Sequence, residues 1–503
     1  MAQNPLYDAL FKPHHGSEQP FLILADDSAI SFDAFLRQAA RFAHTITACG
    51  LDPGDRLAMQ IHKSPEALAL YAACVSAGVV FLPLNPAYTA REVDYFVSDA
   101  GAKLLLCDPE DETALRPVAK TNDARLMTLD RLGLGTFSDA ARTQPEQFDT
   151  QARSLDDLAA LLYTSGTTGR SKGAMLSQRN LLSNAETLRD TWQFSSKDSL
   201  LHALPVFHTH GLFVGTNLCL LSGAAMQFLP KFDLDSTLRL LPRATVMMGV
   251  PTYYTRLLAD PRFDRETSSH MRLFVSGSAP LLADTHAQFE VRTGHRILER
   301  YGMTETNMNT SNPYAGDRRA GTVGLPLPGV EVKICNKNGD ELPRGETGTL
   351  EVRGPNVFQG YWQMPEKTKT ELRDCGFFIT GDLASQDTDG YVTIVGRGKD
   401  LIISGGLNIY PKEVEMVLDV MPGVLESAVI GVPHPDFGEA VVAIIVPQPG
   451  VCFDPETIKA AAKTQLAPFK RPKSLIELPD LPRNTMGKVQ KAALRANYQD
   501  LFK

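Results

Sequence analysis

The chain has 503 residues, too many for one hydrophobic core, and its 43% hydrophobic, 21% charged composition excludes a disordered, collagenous or coiled-coil protein. A formal net charge of −8 gives no support to nucleic-acid binding, which calls for a basic face. The cysteines (49, 74, 107, 219, 335, 375 and 452) are odd in number and include no C-x-x-C pair. That pattern fits reduced thiols in a cytoplasmic protein better than a disulfide or zinc framework.

The N-terminal stretch MAQNPLYDALFKPHH lacks the basic-then-apolar order of an export signal. Ser31 then caps a predicted helix that runs to about Gly50, and RLAMQI (56–61) reads as a strand. Ser64-Pro65 opens a second helix, with proline at the position where its missing N–H costs least. VVFLPL (79–84) follows as a strand. Thr89-x-x-Glu92 is a capping box for a helix ending near Gly101, before the strand KLLLCD (103–108). The same beat continues through 158–164, 199–205, 244–250, 271–277 and 296–302. Apolar strands alternating with helices predict mostly parallel sheets covered on both faces. The uncharged stretch Thr209–Pro230 contains His210, Asn217, Ser222, Gln227 and several glycines. It reads as a buried helix plus strand, not a membrane span. After about residue 320, turn dipeptides between short alternating runs predict antiparallel hairpins. Beyond GRGKD (396–400) the texture changes again. A helix from Pro411, strands at 427–432 and 440–446, a helix from Asp454 and a strand near 474–478 form a small α+β unit.

The strongest local signal is Tyr163-Thr-Ser-Gly-Thr-Thr-Gly-Arg-Ser-Lys-Gly173, between an apolar strand and a predicted helix. Glycines let successive N–H groups face one concavity, hydroxyls add donors, and Lys172 adds charge, a combination that suits phosphate oxygens. The composition alone would also fit a solvated serine–glycine loop. It is not a Walker A loop, because the residue five after Gly166 is Ser171.

This loop resembles the phosphate-binding signature of the acyl-adenylate-forming superfamily, which includes acyl-CoA synthetases, luciferase and peptide-synthetase adenylation domains. Five further matches follow in the family's order: Tyr301-Gly-Met-Thr-Glu305, Thr380-Gly-Asp382, Gly396-Arg-Gly-Lys-Asp400, Ser404 to Glu413, and Pro482-Arg-Asn-Thr-Met-Gly-Lys488. The resemblance implies a luciferase-like α/β fold. Residues 1–398 form a large domain of mostly parallel sheets covered by helices, with a small β-barrel-like part. Residues 399–503 form a small mobile α+β domain, hinged at Lys399.

It also implies the chemistry. A carboxylate attacks the α-phosphate of ATP, so two anions must meet and positive charge must gather around them. Thr164, Ser165, Gly166, Thr167, Thr168, Gly169 and Lys172 are expected to hold the β- and γ-phosphates, Glu305 the Mg²⁺, and Thr304 the α-phosphate. Tyr301 is expected to pack on adenine and Asp382 to accept from the ribose, with Arg397 beside it; Ser278, Ala279 and Gly302 complete the nucleotide set. Asp382 without this context is a turn residue. Lys488, alone a surface lysine, becomes the catalytic ammonium that bridges carboxylate and α-phosphate. Coenzyme A then attacks the adenylate. Ser404, Gly405 and Gly406 offer backbone to its pantetheine arm, and Lys470, Arg471 and Lys473 are either contacts to its phosphates or a solvated basic face.

Arg300, directly before Tyr301, stands where many relatives have a small residue at the edge of the acyl pocket. A guanidinium suits an acid with a second carboxylate, or else it points outward to a surface acid. His208, His210, Arg272, Ser278 and Met303 are further acyl-pocket candidates. The phrases VFHTHGLFVG, VPTYYTRLL, RLFVSGSAPLL and LERYGMTETNMNTSNPY resemble malonyl-CoA synthetases. The expected substrates are malonate, then methylmalonate, with ATP, Mg²⁺ and CoA and without nucleic acid or membrane. Ligation of another short, medium-chain or aryl acid stays open, as does a non-catalytic nucleotide binder. Pro482 to Lys488 also resembles a site used by bacterial lysine acetyltransferases, which implies an acetyltransferase and a deacetylase acting on Lys488.

Overall fold

The computed structural model describes residues 3–164, 171–404, 407–451, 454–466 and 468–502. Among them the strands form four sheets. In the first, strands Arg125–Thr128, Leu104–Cys107, Arg56–Gln60, Val80–Pro83, Leu158–Thr164 and Lys172–Ser177 lie side by side. All neighbours are parallel except the last pair. Val80–Pro83 and Leu104–Cys107 are buried at every position, as strands covered on both faces must be. The second sheet has Ser199–His202, Val246–Gly249, Leu273–Ser276 and Leu298–Met303 running parallel on one side of its middle and Ala225–Phe228 and Pro20–Ile23 on the other. Antiparallel strands close both edges.

The helices arise where the sequence signals them. Ser31 Oγ accepts from Ala34 N at the head of Phe32–Ala48, and both halves of the Thr89–Glu92 capping box form. Helix Pro65–Ala77 starts at Ser64 and ends at a left-handed Gly78; every residue from Ala67 to Ala77 is buried. A helix apolar all round has no solvent face, and this one packs inside the core shared by the two large sheets.

One local reading needs correction. Lys172–Ser177 is a strand, so the loop after Thr164 joins two antiparallel strands and not a strand to a helix. Its lysine, glycine and serine gave no strand signal, and pairing with Leu158–Thr164 overrides that weak propensity. Asn307–Ser311 is a fully buried strand although its sequence, NMNTS, is mostly polar. Thr209–Pro230 is a π-helical turn, His210–Thr216, running into helix Asn217–Ser222 and strand Ala225–Phe228. No described helix is long and apolar enough to cross a membrane. The six described cysteines carry no disulfide.

The third sheet is an antiparallel meander of Glu331–Cys335, Gly348–Arg353, Phe378–Gln386 and Val392–Arg397. The fourth is built on the hairpin Val424–His434/Gly438–Pro447, with Ser474–Glu477 parallel to its second strand and Ile402–Ser404 antiparallel to the start of that same strand, at Gly438. Helices Pro411–Asp419 and Pro455–Gln465 share a core with one face of this sheet, while Leu494 of helix Lys491–Tyr498 packs on the other.

Gly324 holds the turn before the edge strand Leu325–Pro326. Its φ is +81°, and a Cβ there would stand 2.1 Å from the backbone of Ser311 and Asn312. Gly324→Ala should lower the melting temperature by several degrees. Calorimetry beside the parent protein checks this; an unchanged Tm would mean that the edge strand yields freely.

Candidate active site

Strand Leu158–Thr164 of the first sheet and strand Leu298–Met303 of the second lead into one cleft from their carboxyl ends, the place where open parallel sheets bind ligands. Thr164 ends its strand with Oγ1 3.4 Å from Glu305 Oε1. Glu305 is 4% exposed, and burial raises its carboxyl above the ordinary range against the nearby Lys172 charge. The Tyr361 hydroxyl lies 3.1 Å from Glu305 and 2.7 Å from Glu371. Lys172 Nζ sits 3.2 Å from Glu371 and 4.1 Å from the centre of the Tyr361 ring. Among the described residues no cluster of three His, Cys, Asp or Glu side chains forms a metal cage. One buried carboxylate with a hydroxyl beside it fits Mg²⁺ instead, an ion that keeps waters and takes its other ligands from phosphates.

Next to this group, Tyr301 donates to Asp382 Oδ2 at 2.5 Å, and Arg397 Nε lies 2.6 Å from Asp382 Oδ1. Tyr301 is the fourth residue of strand Leu298–Met303, and Asp382 and Arg397 pair across strands of the meander. Gly302 leaves no room for a side chain, since a Cβ would fall 1.9 Å from the Asn307 carbonyl. Lys488 reaches the same cleft on a turn built by Asn484, whose Oδ1 accepts from the backbone of Met486 and Lys488. Met486 is buried in the core of the large sheets. Gly487, at φ +74°, passes so close to Thr252 that a Cβ would touch Oγ1 at 3.4 Å. Lys488 stays in contact with solvent, yet desolvation in the cleft and the charge of Arg397 bring its ammonium down to about 8.

The third group is a pocket with unpaired donors. Arg300 is 4% exposed. Its guanidinium fills the space over Gly277, where a Cβ would stand 2.4 Å from Cζ. Among the described residues Arg300 Nε and Nη2 have no hydrogen-bond partner. Ser278 follows with φ +70°, the left-handed region that non-glycine residues avoid. Its Oγ lies 3.2 Å from His210 Nδ1. His210 Nε2 is buried without a partner. Burial and the adjacent Arg300 charge push the His210 imidazole well below its ordinary value, and burial takes His208 down to about 4. Both rings are neutral at physiological pH.

Other expected residues fall as follows. Arg272 does not belong to the acyl pocket. It stands at the amino end of strand Leu273–Ser276, about 20 Å along the chain from Ser278, and grips Asp198 at 2.6 and 2.9 Å. The alternation of a strand shows which face a residue takes but not which end meets the ligand. Met303, Thr304 and Ala279 are half-buried along the cleft. Lys399 lies in the short turn Gly398–Asp400. Ser404 is buried in its strand. Lys470 pairs with Glu413 at 2.6 Å, and Arg471 donates to the carbonyls of Leu466 and Lys463 at the end of helix Pro455–Gln465. Ser165, Gly166, Thr167, Thr168, Gly169, Gly405 and Gly406 lie outside the described residues. Tyr361 and Glu371 carried no motif of their own; only the fold brings them to Glu305 and Lys172.

A buried cation without a counter-charge destabilises a fold. Arg300→Met, of similar length, should therefore raise the melting temperature of the ligand-free protein by a few degrees, equivalent to about 1–4 kcal/mol. A lower melting temperature would show that the guanidinium is already compensated.

Residues 12–362 match the family model of the AMP-binding enzymes, and residues 413–488 match that of the AMP-binding enzyme C-terminal domain. A feruloyl-CoA synthase of Amycolatopsis is 37% identical over 476 residues, 94% of each chain. A malonate–CoA ligase of Arabidopsis thaliana is 35% identical over 480 residues, 89% of this chain and 78% of its own. The crystal structure of ATP-bound MatB from Rhodopseudomonas palustris matches with a TM-score of 0.98 at 56% identity, over 100% of both chains.

Proposed function

The chain belongs to the AMP-binding enzyme family, and from that premise we propose that it ligates malonate to coenzyme A through malonyl-AMP, releasing AMP and pyrophosphate. It is an acid–thiol ligase, and adenylate-forming ligases of this kind use ATP, Mg²⁺ and CoA. The observation that carries the choice of acid is the buried Arg300 guanidinium with two unpaired nitrogens, flanked by the unpaired His210 Nε2. An apolar or aromatic acid leaves those donors unsatisfied. A second carboxylate accepts from all of them, bidentately from the guanidinium. With Ser278 Oγ donating to Nδ1, the neutral His210 ring presents an Nε2–H to the same anion. The resemblance to malonate–CoA ligase and MatB supports the same choice. One added methyl changes binding by about 1–3 kcal/mol, so methylmalonate is the expected second substrate.

In this reading Arg300, His210 and Ser278 hold the distal carboxylate, which leaves the other free to attack the α-phosphate. Asp382 takes the ribose hydroxyls, Tyr301 packs on adenine, and Thr304 and Lys172 hold phosphate oxygens. Glu305 would hold Mg²⁺, and the ion would supply charge neutralisation on the triphosphate. Lys488 bridges attacking carboxylate and α-phosphate as negative charge grows between them. Residues 399–503 then turn about Lys399, withdrawing Lys488 and presenting the Ser404 segment to the pantetheine arm, with Lys470 and Arg471 as candidate contacts for the CoA phosphates. Acetylation would remove the Lys488 charge; the solvent contact of that side chain supports access by an acetyltransferase and a deacetylase.

Arg300→Ala should cut the ratio of malonate to propionate activity by roughly 10² to 10³·⁵, the effect of orphaning a buried charge. Arg300→Lys should recover part of it. Pyrophosphate release with each acid provides the ratio, and a parent enzyme that prefers propionate would end the dicarboxylate reading.

Lys488→Ala should abolish malonyl-AMP formation while still converting supplied malonyl-AMP and CoA to thioester. Adenylation in the parent should fall as pH rises through and above about 8, because the ammonium is the active form and is lost on that side. Lys488→Arg should remove that alkaline limb. Equal loss of both half-reactions in folded Lys488→Ala would refute the division of labour.

A further inference from the structure

Lys63 is a buried lysine that the proposed chemistry does not use. It stands just before Ser64, the cap of helix Pro65–Ala77, beyond the carboxyl end of strand Arg56–Gln60 in the first sheet. Its ammonium crosses to the second sheet. Nζ lies 2.7 Å from His202 Nδ1, donates to the His202 carbonyl at 2.8 Å, and sits 4.5 Å from the centre of the Phe228 ring. No described carboxylate offsets its charge, and burial pushes its ammonium well below the ordinary lysine range. Keeping such a group inside a core is expensive, so what it holds is informative.

His202 ends strand Ser199–His202 and is 1% exposed. Its Nε2 lies 2.8 Å from the Gly211 carbonyl. A carbonyl only accepts, so Nε2 carries the proton, and the neutral ring leaves Nδ1 bare to accept from Lys63. Gly211 is the second residue of the π-helical turn His210–Thr216, and its carbonyl also accepts from Thr216 Oγ1 at 3.1 Å. The turn rests on the same ring: a Cβ on Gly215 would stand 3.0 Å from His202 Cδ2 and Nε2. On its other side a Cβ on Gly211 would fall 2.1 Å from the Pro205 carbonyl. The residue before Gly211 is His210, whose free Nε2 faces the pocket beside Arg300. π turns are rare, and those that persist are commonly found at functional sites.

We infer that Lys63 and His202 are positioning residues for dicarboxylate specificity: together they clamp the Gly211 carbonyl, hold residues 210–216 in the wider π register, and so keep His210 Nε2 at the distal carboxylate. The inference rests on the malonate reading. Lys63 touches no reacting group. It acts through one imidazole and one carbonyl, and it links the first sheet to a pocket that belongs to the second.

The test uses the full chain with Lys63→Met and His202→Leu, scored by pyrophosphate release with malonate and with propionate. Losing one hydrogen bond to a charged group should raise KM for malonate at least roughly tenfold, with kcat and the KM values for propionate and ATP staying within about twofold. His202→Gln, which keeps an acceptor and a donor, should recover part of the loss. A malonate KM that does not move, or equal losses with malonate and propionate, overturns the inference. If either variant fails to fold, nitrogen-15 histidine labelling of the parent and of His202→Gln decides. The spectrum must contain a neutral Nε2–H imidazole that vanishes in His202→Gln; an Nδ1–H or charged ring at that position overturns the clamp. A parent enzyme that prefers propionate ends the malonate reading before any variant is compared, so the two failures are distinguishable.

Discussion

A guanidinium buried without a counter-charge has to be held in place by everything around it. Arg300 fits only because Gly277 has no side chain, and Gly277 leads into Ser278, whose backbone is left-handed. The serine hydroxyl orients His210, and His210 starts a π turn. Each of these features is unfavourable alone: a lone charge, a strained φ, an uncommon helical register. They are tolerated because the strands beneath them are embedded in a core shared by the two large sheets. Local strain at a site is stable only when the surroundings over-determine it.

The nucleotide side follows the opposite rule. Lys172 rests on Glu371, Tyr361 bridges Glu371 and Glu305, and Arg397 and Tyr301 both hold Asp382. There the protein pairs its own cations and anions, and a triphosphate has to exchange partners with them. Arg300 has no such partner among the described residues, so under the proposed malonate reading an entering carboxylate gains the whole interaction. That contrast is how the proposed site binds a nucleotide common to many enzymes and still selects its acid.

Much of this was legible in the sequence for a physical reason. Caps and proline starts at Ser31, Ser64 and Thr89 act within four residues, and runs such as VVFLPL report burial directly. Arg300 drew notice through the family resemblance, because many relatives have a small residue at that position. What escaped reading depends on contacts far apart in the chain. Asn307–Ser311 is polar and buried, its side chains bonded to Thr209 and Val323. Arg272 looked like a pocket residue by proximity to Ser278, but it occupies the other end of the strand. Lys63 and His202, separated by 139 positions, had no motif, and a π turn has no composition of its own.

Met486 shows how the two parts of the chain meet. It precedes Lys488, the proposed catalytic lysine, by two residues, and its side chain is buried in the large sheets' core. A rotation that withdraws Lys488 must therefore pull an apolar plug into water and later dry it again. Wetting apolar surface carries a positive heat-capacity change and little enthalpy near room temperature. In the proposed rotation, the balance between the two domain arrangements is thus set partly by solvent and not only by ligand. Cooling weakens the plug and favours release; excluded cosolutes such as sucrose strengthen it and favour the docked lysine.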